Sequence, residues 1–229
     1  MNLKNFKSIL IIYRNLRRSK GIKLVLRYFF ECHLFDLLYK TNTHKMLSKN
    51  DMKSDSKYFE NSLMYMASWT STLKISLTCL RKLLGDSAKN YSFIDIGCGK
   101  GKVILIARNL GVVGLDPKRY IGIDFEPSLI RIAQNNSIKM FGDKGKFILN
   151  DALDIDYQMF GNALIFFLYN PFDDSIIKIF LKKVSKLNPI LVYVNPVGRD
   201  LIIDAGYQSL VRQQEWHPNL CFEIFKLAS

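Results

Sequence analysis

The chain predicts an α/β fold: a mostly parallel seven-stranded sheet with an antiparallel C-terminal strand, preceded by a helical N-terminal arm. Three observations lead there. From Tyr91 onward, short apolar runs alternate with helical stretches, as in a parallel sheet covered on both faces. The last two apolar runs follow one another with no helix between them, which reads as an antiparallel pair joined by a long loop. Positive charge is concentrated ahead of all this. Residues 1–50 hold 11 Lys and Arg against Glu31 and Asp36, whereas residues 93–229 hold 16 basic and 14 acidic side chains.

Taken in order, the arm carries two apolar stretches, Ile9–Tyr13 and Leu24–Leu38, with Arg14, Arg17, Arg18, Lys20 and Lys23 between them. They read as two amphipathic helices broken near Gly21. Residues 41–60 are polar and read as a linker or mobile loop. Leu73, Ile75, Leu77, Leu80, Leu83 and Leu84 are mostly compatible with one buried face of a helix within Ser68–Leu84, which Gly85-Asp86 ends. Strands are expected at Tyr91–Ile96, Tyr120–Ile123, Lys146–Leu149, Ala163–Leu168, Ile190–Val194, Gln208–Arg212 and Cys221–Leu227. Helices are expected at Lys102–Leu110, Pro127–Met140, with proline at its first position, and Asp174–Leu187. The chain thus divides into an arm and linker (1–60) and a sheet domain (61–229).

Composition narrows the function classes. With 229 residues, 48% apolar and 23% charged, the chain suits a globular domain and not a disordered one. Cys32, Cys79, Cys98 and Cys221 lie far apart, with no CxxC pair and no Cys/His cluster. That argues against a zinc site or disulfide framework, so no metal is expected and a reducing cytoplasm is the expected compartment. No apolar run reaches the roughly 18–20 residues of a membrane span. Arg14 interrupts the apolar start, a poor match for a secretory signal, although an acid-free, Arg-bearing start also resembles a mitochondrial targeting segment. Three readings stand for the arm: a helical cap on the sheet domain, a surface helix on anionic lipid, or a contact to nucleic acid or an acidic substrate.

The chemistry centres on Asp95-Ile96-Gly97-Cys98-Gly99-Lys100-Gly101-Lys102, at the end of the first strand. Three alternate glycines permit a tight turn and leave no side chain where a ligand approaches the backbone. The next helix begins near Lys102 and offers unpaired N–H groups. A P-loop is excluded, because Val103 stands where the magnesium-binding hydroxyl belongs and Ile96 where the first glycine belongs. A nicotinamide fingerprint fits poorly, since the third glycine comes one residue early. Asp95 would repel a pyrophosphate but would favour the ammonium and sulfonium groups of S-adenosylmethionine. Asp124, 23 positions after Gly101 and directly after the second strand, is placed to accept ribose hydroxyls, with Phe125 beside it. Glu126 is a neighbour that could share that task, against its reading as a solvated charge near the helix start. Cys98 reads as a small packing residue within the cofactor loop.

In these residues the chain resembles the class I S-adenosylmethionine-dependent methyltransferases, whose first motif is D-x-G-x-G-x-G, here Asp95, Gly97, Gly99 and Gly101. The resemblance implies a Rossmann-like sheet, S-adenosyl-L-methionine as cofactor, and an adenine contact at Asp151-Ala152 after the third strand. It also directs attention to Tyr169-Asn170-Pro171-Phe172 after the fourth strand. There, methyltransferases of planar nitrogens hold the target amine with an amide and stack an aromatic ring upon it. A second proline of that motif is missing, which weakens the case for base-amine or glutamine-amide chemistry. Together with Asn195-Pro196-Val197, the sequence is most similar to a bacterial group of unassigned substrate. Tyr169, Asn170 and Phe172 are therefore the expected acceptor-side residues. Three alternatives remain: a nucleic-acid methyltransferase using the arm, an N-directed protein methyltransferase, and an inactive module that only holds cofactor. His217, between the last two strands, reads as a solvated loop residue.

Overall fold

In the sheet, β1 (Ser92–Ile96) is central, and all five of its residues are buried. The computed structural model describes residues 22–45 and 67–228. Helix α1 covers residues 22–32 and is followed by α2 (Leu34–Tyr39) and α3 (Thr70–Leu84). Beyond β1 come α4 (Lys102–Arg108), β2 (Arg119–Asp124), α5 (Pro127–Phe141), β3 (Phe147–Leu149) and β4 (Leu164–Tyr169). The chain continues through α6 (Asp174–Val184), β5 (Ile190–Val194), α7 (Arg199–Asp204), β6 (Tyr207–Gln213) and β7 (Phe222–Leu227). The strand order is β3-β2-β1-β4-β5-β7-β6. The first five strands run parallel, and β7 is antiparallel to both β5 and β6.

Alternation along the strands sorts the core into two layers. Phe93, Phe167, Val192 and Ile224 face α3, α4 and α5, where Leu73, Leu77, Ile104 and Ala133 meet them. Ile94, Phe166, Leu191 and Phe225 face α6 and α7, meeting Ile177, Phe180 and Ile202. Strand order reverses between β1 and β4, and open α/β sheets bind ligands beyond the strand ends at such a point.

Several expectations change. The break near Gly21 lies outside the described residues, and the interruption seen is at His33. There His33 N–H bonds Phe29 O at 2.8 Å and closes α1, and Leu37 N–H bonds His33 O at 3.0 Å and opens α2. Residues 41–45 are not a loose linker. The buried Asp36 carboxylate accepts from the Thr41 and Thr43 hydroxyls, the Thr43 and His44 backbone N–H groups and the His44 ring. The rest of that stretch, 46–60, lies outside the described residues. Helix α6 ends at Val184 and gives way to a 3₁₀ turn at Ser185–Leu187, after which Asn188 takes a left-handed conformation. Helix α7 was not anticipated. It is six residues long and buries only Ile202, too little for a readable period.

Gly122 in β2 shows how tightly the site-bearing strands pack. A Cβ there would lie 2.6 Å from the Phe147 ring and 2.9 Å from Cys98 Sγ. Gly122→Ala is therefore expected to destabilise the protein by about 1–3 kcal/mol, as overpacked cores do, read as a lower urea midpoint with unchanged slope.

Candidate functional site

The turn after β1 depends on its glycines, because Gly97, Gly99 and Gly101 all have positive φ (69°, 52° and 82°). This is a region that residues with a Cβ rarely enter. A Cβ on Gly97 would also come within 3.1 Å of Pro171, so the turn closes directly against the exit of β4. The loop is tied to the end of β2 by two bonds. Cys98 N–H donates to Ile123 O at 2.9 Å, and Gly99 N–H donates to Asp124 Oδ2 at 2.8 Å. Asp124 Oδ1 accepts from Glu126 N–H at 2.9 Å.

Asp95 and Asp124 are both buried. Asp95 Oδ2 has no hydrogen-bond partner, and burial, reinforced by the Asp124 charge, pushes its pKa well above the usual carboxylate range. Burial also raises Asp124 to about 6, although the loop N–H groups oppose the shift. Two buried acids under one glycine turn are short of positive charge, which a cationic ligand would supply.

A recess of about 440 Å³, counting its open mouth, lies against Asp124, while Asp95 is not among the residues that line it. Of the residues expected from sequence, Gly97, Asp124, Phe125, Asp151, Ala152 and Phe172 line it. Asp151 Oδ1 accepts from Leu153 N–H at 2.9 Å, which fixes the turn after β3. Cys98 points away, with its buried thiol against Gly122, so its part is packing.

The acceptor-side trio separates. Phe172 lines the recess and packs on Phe180, 5.4 Å between ring centres. Asn170 is left-handed (φ 43°), and its Oδ1 accepts from Tyr193 Oη at 3.0 Å. Tyr169 instead lies on the opposite face of the sheet, its hydroxyl buried among Tyr28, Glu31, Cys32 and the Trp69 backbone.

Two other expectations fail. Glu126 is buried and caps α5, its Oε1 accepting from Ser128 N–H at 3.1 Å, so it is not a solvated charge. His217 is not a free loop residue. It stacks on Trp69 with ring centres 4.5 Å apart, and its Nδ1 accepts from Asn219 N–H.

Sequence reasoning missed the contacts between arm and loop. Lys102, buried at the start of α4, donates to Glu31 O at 2.8 Å and Ser68 O at 2.7 Å. Lys100 donates to Lys45 O, and Asn136 of α5 joins Asn42 N–H to Lys100 O. Burial lowers both lysines to about 8. Also missed was Glu223 of β7, fully buried between Arg199 and Arg212. Its Oε2 accepts from Arg199 Nε at 2.9 Å, while Oε1 has no partner. Asn195 and Pro196 line a second recess beside it. A lone Glu in an apolar strand was the available signal. Among the described residues, no group of three or more His, Cys, Asp or Glu is placed to hold a metal, and no helix is long and apolar enough to cross a membrane.

Comparison with known proteins agrees with this architecture. The model of the methyltransferase domain family matches residues 87–215. A ribosomal protein L11 methyltransferase of Haemophilus influenzae (strain PittEE) is 36% identical over 94 residues, 41% of this chain and 30% of that protein. Its counterpart in Azotobacter vinelandii is 28% identical over 93 residues, again 30% of that protein's length. The chain thus spans under a third of the curated relatives it matches. Among solved structures, magnesium protoporphyrin IX methyltransferase of Synechocystis PCC 6803 with bound SAM shares 12% identity, covering 90% of this chain and 97% of that one, at a TM-score of 0.48. The N-methyltransferase NodS of Bradyrhizobium japonicum WM9 shares 15%, covering 70% of this chain and 98% of that one, also at 0.48. The family model takes in more than half the chain, including the glycine turn, the paired acids and most of the sheet, and the chain belongs to the methyltransferase domain family.

Proposed function

We propose that the chain transfers a methyl group from S-adenosylmethionine to an acceptor met at the ends of β4 and β5. The observation that carries this is the buried Asp95–Asp124 pair beneath the glycine turn, with Asp95 Oδ2 unpartnered. The cofactor fits these residues. Asp95 would receive its ammonium, and Gly97, Gly99 and Gly101 the methionine chain. Asp124, which retains acceptor capacity beyond its backbone bonds to Gly99, Phe125 and Glu126, would take the ribose hydroxyls, and Phe125, Asp151 and Ala152 the adenine. When bound, the cofactor supplies a methyl group on a positively charged sulfur that departs as a neutral thioether. The protein's share is then alignment and exclusion of water, without an acid for the leaving group.

On the acceptor side, Phe172 supplies an aromatic wall. Asn170 Oδ1 is already engaged by Tyr193, so its amide N–H₂ is what it offers. That is a donor, better suited to an acceptor's oxygen than to an amine. Tyr169, directed toward the arm, acts as a support for Trp69 in this reading. The similarity to L11 methyltransferases covers too little of those proteins to carry their acceptor across. The basic arm takes an anionic partner, lipid or nucleic acid. The four thiols, none in a disulfide, suit a cytoplasmic setting.

Calorimetry with adenosylhomocysteine tests the division of labour. Asp124→Ala should weaken binding about 10- to 100-fold, the worth of lost charge-assisted hydrogen bonds, while Asn170→Ala should stay within about twofold of wild type. Equal losses in both would refute the assignment.

The pH dependence has a definite sign. Asp124 binds its proton more tightly folded (about 6) than unfolded (3.8), so its contribution to stability falls as pH rises from about 4 to 6. His33, which burial beside His44 lowers to about 4, contributes the opposite sign in part of that window. The comparison is therefore wild type against Asp124→Asn. Without ligand, the melting temperature of wild type relative to that variant should fall from pH 4 to 6, while wild-type affinity for S-adenosylmethionine rises. Parallel trends would count against the paired-acid site.

A further inference from the structure

The outer face of the arm is apolar. Ile22, Leu26, Phe29 and Phe30 lie at i, i+4, i+7 and i+8 of α1, one side of a helix, and all four are exposed. Beyond the turn at His33, Leu37 and Leu38 of α2 are also exposed, at 71% and 67%. The opposite side of the arm is docked, with Leu24, Cys32 and Phe35 buried against the sheet domain. Lys23 and Arg27 flank the stripe, and Lys40 and Lys45 are exposed beyond it. Both acids of this segment, Glu31 and Asp36, are buried. Residues 1–21 add six Lys and Arg and no acid. An apolar stripe edged by cations suits the interface of an anionic bilayer, where rings enter the acyl boundary and lysines meet headgroup phosphates. A nucleic-acid surface would present its cations at the centre of the contact instead.

We infer that residues 22–45 dock this protein on an anionic membrane surface through the exposed Ile22, Leu26, Phe29 and Phe30 stripe of α1, with Leu37 and Leu38 of α2 beyond it. The inference rests on the anionic-partner reading of the arm and narrows that partner to lipid. It also gives the arm a second task, because the same helix holds the glycine loop through the Lys102–Glu31 bond. A docked protein therefore presents its cofactor site at a fixed distance from the bilayer.

The test is sedimentation of the full chain with phosphatidylcholine vesicles, with and without phosphatidylglycerol. Wild type should pellet with the anionic vesicles at low salt and be largely released at about 0.5 M salt. Phe29→Ser combined with Phe30→Ser should lower partitioning by about tenfold or more, and Lys23→Glu should weaken binding to anionic vesicles only. Both rings are solvent-facing, so the double variant should keep its heat of binding to adenosylhomocysteine, which shows that it is folded. Four results would overturn docking: no pelleting at low salt, undiminished binding by the double variant, preference for duplex RNA over vesicles, or a solution dimer dissolved by the double variant without vesicle binding. If wild type pellets but gives no heat with adenosylhomocysteine, the methyltransfer reading fails and the docking stands.

Discussion

Two carboxyl groups buried within reach of each other, Asp95 and Asp124, set the terms for the rest of the site. Burying like charges is unfavourable, so each tends toward its neutral form. The arrangement persists because Asp124 doubles as the clasp of the glycine loop, accepting Gly99 N–H on one oxygen and Glu126 N–H on the other. The loop's left-handed turns and the acid that secures them form one unit. A ligand that brings positive charge relieves the electrostatic cost and leaves the clasp in place. Ligand affinity and ligand-free stability are thus set against each other in the same few residues.

The sheet was legible because its strands obey simple periods. Burial on both faces makes β4 and β5 nearly continuous apolar runs, and Ile190–Val194 was placed to the residue. The glycine turn was legible because three positive φ angles leave little choice but glycine. Tyr169 was misplaced although the period of two bore on it. Leu164, Phe166 and Leu168 face one layer, and Ile165, Phe167 and Tyr169 the other. Tyr169 therefore turns from Phe172, despite their closeness in sequence.

The arm's contacts were not legible, for a different reason. Lysine normally signals solvent, yet Lys102 is buried because two main-chain carbonyls from separate segments, Glu31 and Ser68, converge on its ammonium. No local pattern announces partners that distant in the chain. The Asp36 cluster is local, within eight residues, but its five donors are ordinary Thr and His groups, and only the fold shows them turned onto one carboxylate. Burial alone would raise that acid, and these donors reverse the effect and hold it below the usual range.

Lys102 and Lys100 grip the arm by its backbone oxygens at Glu31 and Lys45. Every amino acid carries such an oxygen. At Lys45, descendants of this protein can alter the gripped residue and keep the attachment, provided the path of the chain survives. Glu31 and the two lysines have no such freedom, because the Glu31 carboxylate also accepts from Ser71 N–H at 2.8 Å. Divergence should accordingly run unevenly across the contact, with drift at Lys45 and restraint at Glu31, Lys100 and Lys102.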